Sequence, residues 1–315
     1  MKRNAKRTRG FPLMGVSAVV MLIGVYFIWR QPPLMERPKP SGMTGSSAQT
    51  PLISETQGIE GGIHATLNST NEDAPVFTVT VYISEITDTR YLELVNLEYP
   101  ISGEPDNKLI VSAWPAVPVR ARDIPLHKTA LEAVGDLFAA ARETYAGTFF
   151  VTSGYRDYEA QRRVYNNAAD KSFVQPPGHS EHQTGLAADI LIIGIGMHDM
   201  AGSREARWLA ENAWKYGLIL RYAKDKQNIT GIAAEPWHFR YIGQPHAWFC
   251  QQNNLCFEEY IQFLKESDGY QATLDGKTYS VLYQTPQNGI IYVPEHLSYQ
   301  ISGDNTGGFI VTAWS

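Results

Sequence analysis

Two short stretches of this sequence carry imidazole and carboxylate groups at spacings that could build a hydrolytic metal site. The first reads Ser-Glu-His-Gln-Thr-Gly-Leu-Ala-Ala-Asp and contains His182 and Asp189. The second reads Glu-Pro-Trp-His-Phe-Arg and contains Glu235 and His238. Two imidazoles and one carboxylate form a ligand set for Zn²⁺ that leaves a fourth position for water. We therefore predict that His182, Asp189 and His238 bind zinc, and that Glu235 is the catalytic base.

The surroundings of these residues favour a site over a structural role. Asp189 lies in an apolar run, where a carboxylate is costly unless it is paired or bound to a metal; an aspartate that caps a loop at a strand end is the alternative. A lone histidine such as His238 in an apolar strand would more often be a satisfied core residue. Pro236 bends the chain, which can bring Glu235 and His238 into one cleft. Gly185 permits a tight turn or a close backbone approach before Asp189.

Arg156 is the predicted substrate contact. It follows a predicted strand at residues 148–152. Its guanidinium could polarise a scissile carbonyl or hold a substrate carboxylate, whereas a surface arginine is the alternative. Gln161 and Ser180 could add hydrogen bonds to the same substrate.

The elements around these residues predict an α+β fold, with helices and an antiparallel sheet in the catalytic domain. Apolar spacing predicts helices over residues 127–145, 157–169, 203–216 and 245–265, the last with one interruption. Alternating or continuous apolar runs predict strands over residues 75–84, 91–96, 109–114, 148–152, 186–193 and 237–242. Beyond residue 267, an Asp275-Gly276 hairpin signal between apolar runs predicts a small all-β module.

The N-terminus carries the pattern of a membrane anchor. Basic residues among the first ten precede an uncharged apolar run at residues 11–29. At about 1.5 Å per residue, this run just spans a hydrocarbon core of about 30 Å. Basic residues on this side keep the N-terminus in the cytoplasm, so we predict a single-pass transmembrane helix with the catalytic domain outside the cytoplasm. A cleaved signal peptide is the alternative and would export the same domain.

Composition divides the rest of the chain. The stretch after the apolar run is rich in Pro, Ser, Thr and Gly, which is typical of a disordered linker. The predicted parts are a basic cytoplasmic segment (1–10), a transmembrane anchor (11–29), a linker (30–74), a catalytic domain (75–266) and an all-β C-terminal module (267–315).

Charge and cysteine content limit the partners. The 315 residues carry a net charge of -5, which gives no indication of nucleic acid as a partner. Cys250 and Cys256 could form a disulfide outside the cytoplasm if the chain breaks at Asn253-Asn254. That pairing and the oligomeric state are left open by the sequence.

The motifs resemble those of the VanY-type zinc D-alanyl-D-alanine carboxypeptidases, in the VanY/hedgehog-like metallopeptidase family. The patterns Ser-x-His-x-x-Gly-x-Ala-x-Asp, Glu-x-x-His and Ser-Gly-Tyr-Arg are met at residues 180–189, 235–238 and 153–156. The resemblance extends from about residue 91 to residue 265. It implies zinc binding by His182, Asp189 and His238, catalysis by Glu235, and substrate contacts by Arg156, Gln161 and Ser180.

The resemblance also implies a reaction. Members remove the terminal D-alanine from peptidoglycan precursor stem peptides ending in D-Ala-D-Ala, which lowers the supply of the dipeptide that vancomycin binds. An L,D-carboxypeptidase or a peptidoglycan endopeptidase with the same zinc site is an alternative, because pocket shape decides specificity. A non-catalytic cell-wall-binding protein with a structural zinc is a third reading. It would need no free base, so Glu235 argues against it.

Overall fold

The computed structural model describes residues 76–87, 89–121, 124–267 and 269–315. The helices of this part of the chain are α1 (Lys128–Glu143), α2 (Tyr158–Asn167), α3 (Arg204–Asn212), α4 (Gln227–Thr230), α5 (Gln244–Gln252) and α6 (Phe257–Glu266). Its strands are β1 (Phe77–Tyr82), β2 (Ile110–Ser112), β3 (Pro125–His127), β4 (Phe149–Ser153), β5 (Ala187–Ile192), β6 (Leu218–Tyr222), β7 (Glu235–Tyr241), β8 (Tyr270–Leu274), β9 (Lys277–Gln284), β10 (Ile290–Pro294), β11 (Ser298–Gly303) and β12 (Phe309–Trp314).

A four-stranded antiparallel sheet in the order β4-β5-β7-β6 carries the predicted site residues. Helix α1 contributes one apolar stripe to the core beside this sheet, as its spacing predicts; Leu131, Val134, Leu137, Phe138 and Ala141 are buried there. Helix α2 begins after Asp157, whose carboxylate accepts from the backbone N–H of Ala160. The predicted combination of helices with an antiparallel sheet is therefore confirmed in the described residues.

The chain turns sharply between α3 and β6. Helix α3 ends at Asn212, earlier than the apolar spacing predicts, and the 3-10 turn Ala213–Tyr216 follows it. Gly217, at φ 77°, closes that turn. Strand β6 begins at the next residue, and this strand was absent from the sequence prediction.

The strand predicted over residues 91–96 is wrong. The segment runs through turns and bends, although Leu92 and Leu94 are buried. The backbone N–H of Leu94 donates to the carbonyl of Asp304, in the loop between β11 and β12. The apolar residues of this segment therefore reflect burial beneath a loop, and none of the described strands pairs with them.

The C-terminal residues form the predicted strands. Four of them make a sheet in the order β11-β12-β9-β8, while β10 pairs with β1. The turn at Asp275-Gly276 joins β8 to β9, as predicted. Apolar side chains of β8 and β9 share one core with those of α5 and α6. Residues on both sides of the predicted boundary at residue 267 therefore pack together, and the domain boundaries stay predictions.

The predicted cytoplasmic segment, transmembrane anchor and linker lie outside the described residues. Within the described ranges, none of the helices combines the length and the apolar character that crossing a membrane requires. Cys250 and Cys256 are buried free thiols. The chain does break between α5 and α6, as a disulfide would require, but the two sulfurs are not bonded.

Candidate metal centre

Strand pairing brings the predicted ligands together. Asp189 of β5 lies opposite His238 of β7, and Ser153 of β4 lies opposite Asp189. The pairing of β6 with β7 shifts register near Pro236. Glu235 consequently lies on the same side as His238, with 3.6 Å between Glu235 Oε2 and His238 Nδ1. The cleft predicted from Pro236 is therefore present.

His182 comes from the 3-10 turn Glu181–Thr184, which precedes β5. Gly185 ends this turn at φ 73°, a left-handed conformation that favours glycine, and a Cβ there would lie only 3.2 Å from the backbone nitrogen of His127. The Nδ1 atom of His182 lies 2.7 Å from the carbonyl of Gly154. Because a carbonyl can only accept, Nδ1 is the donor, and Nε2 presents its lone pair to the site.

Three ligand atoms converge on one point. His182 Nε2, His238 Nδ1 and Asp189 Oδ1 lie within 4.8 Å of one another. Among the described residues, no donor makes a well-aligned hydrogen bond to the buried Asp189 Oδ1, which lies 3.5 Å from His182 Nε2 and 3.2 Å from His238 Nδ1. Although burial opposes it, the two imidazoles hold the pKa of Asp189 well below its usual range. A buried ionised oxygen needs a positive charge beside it, which protonated His238 supplies when no metal is bound.

The two histidines differ in charge. Burial and the nearby Arg156 lower the pKa of His182 to about 4, so its ring is neutral. Although burial opposes it, the carboxylates of Asp189 and Glu181 raise the pKa of His238 to about 9. His238 Nε2 lies 3.3 Å from Glu181 Oε2 and donates to it. A metal ion at His238 Nδ1 would therefore replace a proton.

This donor set fits Zn²⁺. Two imidazole nitrogens and one carboxylate oxygen are a common ligand set of hydrolytic zinc sites, whereas Ca²⁺ and Mg²⁺ prefer oxygen alone. Each imidazole also has an outer partner for its second nitrogen, as metal-bound histidines usually do. In the part of the chain that the structure describes, no other group of three such side chains converges in this way.

Glu235 lies beside the ligands and is almost fully buried. Burial raises the pKa of Glu235 to about 8; Asp189 adds to the rise, while His238 opposes it. A carboxyl group that binds and releases a proton near neutral pH suits general acid–base catalysis.

Glu181 is a buried carboxylate that the sequence analysis did not single out. Its Oε1 accepts from Arg221 Nε at 2.8 Å and lies 3.2 Å from Arg240 Nη1. Although burial opposes it, these two guanidiniums hold the pKa of Glu181 well below its usual range. Arg221 and Arg240 lie in otherwise apolar strands, and a buried charge needs a partner of opposite sign. These two arginines were therefore the sequence feature that could have indicated a buried carboxylate such as Glu181.

A cavity of about 230 Å³ opens beside the ligands. Arg156, Ser180 and Glu235 lie on its polar wall, and Phe173 and Trp237 belong to an apolar wall. The volume suits the end of a peptide with small side chains.

The predicted substrate contacts occupy different positions. Arg156 donates from Nη1 to Ser153 Oγ and from Nε to Gln161 Oε1, both at 2.7 Å. Gln161 is fully buried, and its Nε2 donates to the carbonyl of Gln175 at 2.6 Å. Gln161 thus holds Arg156 from behind, whereas Ser180 and Arg156 line the cavity itself.

Gln175 and Tyr222 also line the cavity and were not predicted as site residues. The hydroxyl of Tyr222 donates to Gln175 Oε1 at 3.5 Å, and its ring centre lies 4.7 Å from that of His238. Gln175 Nε2 is buried and has no hydrogen-bond partner within the described residues. The sequence positions of Gln175 and Tyr222 relative to the two motifs do not indicate that these residues line the cavity.

Known proteins resemble this chain over most of its length. The sequence model of the VanY family, described as D-alanyl-D-alanine carboxypeptidase, matches residues 123–244. A D-alanyl-D-alanine carboxypeptidase of Enterococcus faecium is 33% identical over 258 residues, or 80% of this chain and 83% of that protein. The putative carboxypeptidase YodJ of Bacillus subtilis (strain 168) is 37% identical over 188 residues, or 56% of this chain and 68% of that protein.

A solved structure matches the fold. The vancomycin resistance D,D-dipeptidase VanXYg, in complex with a D-Ala-D-Ala phosphinate analogue, superposes with a TM-score of 0.65. The two sequences are 31% identical, and the match covers 75% of this chain and 98% of that protein.

Proposed function

The chain belongs to the VanY family of D-alanyl-D-alanine carboxypeptidases, and we propose on this basis that it is a zinc-dependent D,D-carboxypeptidase. Its substrates would be peptidoglycan precursor stem peptides ending in D-Ala-D-Ala, from which it removes the terminal D-alanine. The observation that carries the proposal is the convergence of the buried Asp189 Oδ1 with one ring nitrogen each of His182 and His238, with Glu235 Oε2 3.6 Å from His238 Nδ1.

Six residues of the site have roles in the proposed reaction. His182, Asp189 and His238 would hold the zinc ion, which supplies a Lewis acid and lowers the pKa of water. Glu235 would take a proton from the attacking water and pass it to the leaving amine. Arg156, fixed from behind by Gln161, would donate to a carbonyl or carboxylate oxygen of the peptide.

The proposal extends to the place and consequence of the reaction. Basic residues before the apolar run at residues 11–29 support a single-pass anchor with the catalytic domain outside the cytoplasm. Loss of D-Ala-D-Ala ends there would lower the binding of vancomycin and contribute to glycopeptide resistance. Membrane fractionation of cells that express the full chain tests the anchor, and recovery of the chain in the soluble fraction would contradict it.

Peptide hydrolysis tests the proposed activity. We expect D-alanine release from a pentapeptide ending in D-Ala-D-Ala, its loss on chelation and its return when Zn²⁺ is added. Full activity of the metal-free protein would overturn the zinc assignment.

The same assay tests the specificity. A tetrapeptide with one terminal D-alanine and a D-Ala-D-Lac peptide serve as comparison substrates. Release from the tetrapeptide in preference to the pentapeptide would assign L,D-specificity, and cleavage inside cross-linked peptides would assign an endopeptidase.

A further inference from the structure

Helix α6 contacts the charged groups behind the metal centre through Glu258, in its first turn. Arg221 Nη1 donates to Glu258 Oε2 at 2.8 Å, and Arg221 Nη2 donates to Glu258 Oε1 at 2.7 Å. Asn96 Nδ2 also donates to Glu258 Oε1, at 3.1 Å. The side chain of Arg221 is 0% exposed and that of Glu258 is 14% exposed. This bidentate contact is therefore largely shielded from water, where ion pairs are strongest.

Arg221 also contacts Glu181, which in turn contacts the predicted zinc ligand His238. Its Nε donates to Glu181 Oε1 at 2.8 Å, and Glu181 Oε2 accepts from His238 Nε2 at 3.3 Å. Glu181 and Arg221 are both fully buried. Three consecutive charged contacts thus join helix α6 to the ring of His238.

The network contains charges of both signs. Two carboxylates, Glu181 and Glu258, face two guanidiniums, Arg221 and Arg240. Without the charge at Glu258, Arg221 would lose the acceptor of both its Nη atoms, which is strongly unfavourable for a buried cation. The other carboxylate that Arg221 contacts is Glu181. Arg221 would then interact more strongly with the Glu181 carboxylate and compete with His238 for this acceptor.

We propose that Glu258 is a positioning residue of the metal centre, which acts through Arg221 and Glu181 to keep His238 oriented as a ligand. Glu258 lies outside residues 123–244, the range that the VanY sequence model matches, although the resemblance of the motifs and their surroundings extends to about residue 265. A helix of the C-terminal part of the chain thus contributes to the affinity of a centre whose ligands all lie inside the matched part. The inference rests on the proposed zinc site and is independent of peptide specificity.

The neighbouring Glu259 offers a matched control. It belongs to the same helical turn, but its carboxylate binds Lys226 Nζ at 2.8 Å and the backbone N–H of Cys256 at 2.9 Å. The experiment measures the zinc dissociation constant of the full chain by competition with a chelator. We expect Glu258→Gln to weaken zinc binding about tenfold, at the low end for outer-shell partners, and Glu259→Gln to change it less than about twofold.

Three further measurements separate positioning from general stability. The free energy of unfolding of the zinc-free protein is compared for both variants, because loss of helix stability alone would weaken zinc binding in both. Glu258→Asp, which keeps the charge but shortens its reach, should weaken binding by a smaller factor, and it replaces Glu258→Gln if that variant does not fold. The electronic spectrum of the Co²⁺-loaded protein should shift in Glu258→Gln and stay unchanged in Glu259→Gln.

The outcomes are distinct. Wild-type affinity in the Glu258 variants, or equal weakening in the Glu259 control, overturns the inference. A wild-type chain that binds no zinc contradicts the proposed function instead.

Discussion

Two glutamates flank His238, and their surroundings give them opposite properties. Glu235 Oε2 lies 3.6 Å from Nδ1 of the ring on the cavity side, and Glu181 Oε2 lies 3.3 Å from Nε2 on the buried side. Burial raises the pKa of Glu235 to about 8. Although burial opposes it, Arg221 and Arg240 hold the pKa of Glu181 well below its usual range.

This difference in pKa shows that residue type and burial do not by themselves decide what Glu235 and Glu181 do. Both side chains are buried carboxylates beside the same imidazole, and the arginines decide which of them stays ionised. Glu181 is therefore suited to hold the ring of His238, as a fixed hydrogen-bond acceptor. Glu235 is suited to exchange a proton. Two carboxyl groups whose pKa values are pushed apart in this way are a common basis for separate catalytic roles.

Removal of the cavity-side carboxylate should have the largest effect on turnover. Glu235→Gln keeps the shape of the side chain but cannot accept a proton, so we expect kcat to fall by about 10²- to 10⁴-fold. Zinc binding should remain within a few-fold of wild type, since the predicted ligands are untouched. Steady-state kinetics on a D-Ala-D-Ala peptide and zinc titration check both parts. A variant that keeps more than about a tenth of wild-type kcat would show that another group serves as the base.

Removal of the buried-side carboxylate should instead affect the metal. Glu181→Gln weakens the acceptor of His238 Nε2, and we expect zinc affinity to fall about 10- to 100-fold. At saturating zinc, kcat should fall far less than in Glu235→Gln. Chelator competition followed by kinetics in excess zinc gives both quantities. If the two variants lose affinity and turnover in the same proportion, the division of roles between the two glutamates is wrong.

The pKa values predict how stability depends on pH in zinc-free protein. His238 has a pKa raised from 6.5 to about 9, so the folded protein binds this proton more tightly than the unfolded chain does. Its contribution is complete below about pH 6.5 and is lost as the pH rises toward about 9. Glu235, raised from 4.5 to about 8, acts with the same sign over the lower part of that window. We expect the free energy of unfolding to fall between pH 6.5 and 9 by on the order of 3 kcal/mol, the size that the His238 shift alone implies.

Zinc-loaded protein is the control for this measurement. A metal ion at His238 Nδ1 replaces the proton, so the fall in stability above pH 6.5 should be smaller, and zinc affinity should rise with pH over the same window. Urea unfolding at several pH values, with and without zinc, checks the prediction. If the free energy of unfolding depends on pH in the same way with and without zinc, His238 is not a ligand of the metal.

The sequence predicted the cavity side of this comparison better than the buried side. His182, Asp189, Glu235 and His238 lie in two short motifs whose residue types and spacing already indicate zinc hydrolysis, and the structure brings them together. Glu181 lies inside the first motif, but its partner Arg221 is 40 residues away, and Glu258 lies 37 residues further on. Local spacing cannot pair such charges, because only the pairing of β6 with β7 and the packing of α6 bring them together.

The errors in the secondary structure have a similar origin. The apolar residues at 91–96 resemble a strand, yet their backbone donates to a loop near Asp304, and none of the described strands pairs with them. Strand β6 was missed because the helical pattern before it continues almost to Gly217, which ends the turn. In both cases the periodicity shows that side chains are buried, and tertiary partners decide what the backbone does.

Gln175 provides the prediction with the smallest expected effect in the comparison of the cavity side of His238 with its buried side. On the buried side, both oxygens of Glu181 have charged partners. On the cavity side, Gln175 Nε2 has no hydrogen-bond partner among the described residues, although Gln175 is only 7% exposed. An unpartnered buried amide costs roughly 1–3 kcal/mol. Gln175→Leu removes that cost but also removes the acceptor of the buried Tyr222 hydroxyl, so the free energy of unfolding should change by less than about 1 kcal/mol. If a substrate oxygen satisfies this amide, KM should rise about three- to tenfold with little change in kcat. If Gln175→Leu leaves KM unchanged, the Gln175 amide does not contact the substrate and only affects stability. An unpartnered polar atom on the cavity side would then not indicate a contact to the ligand.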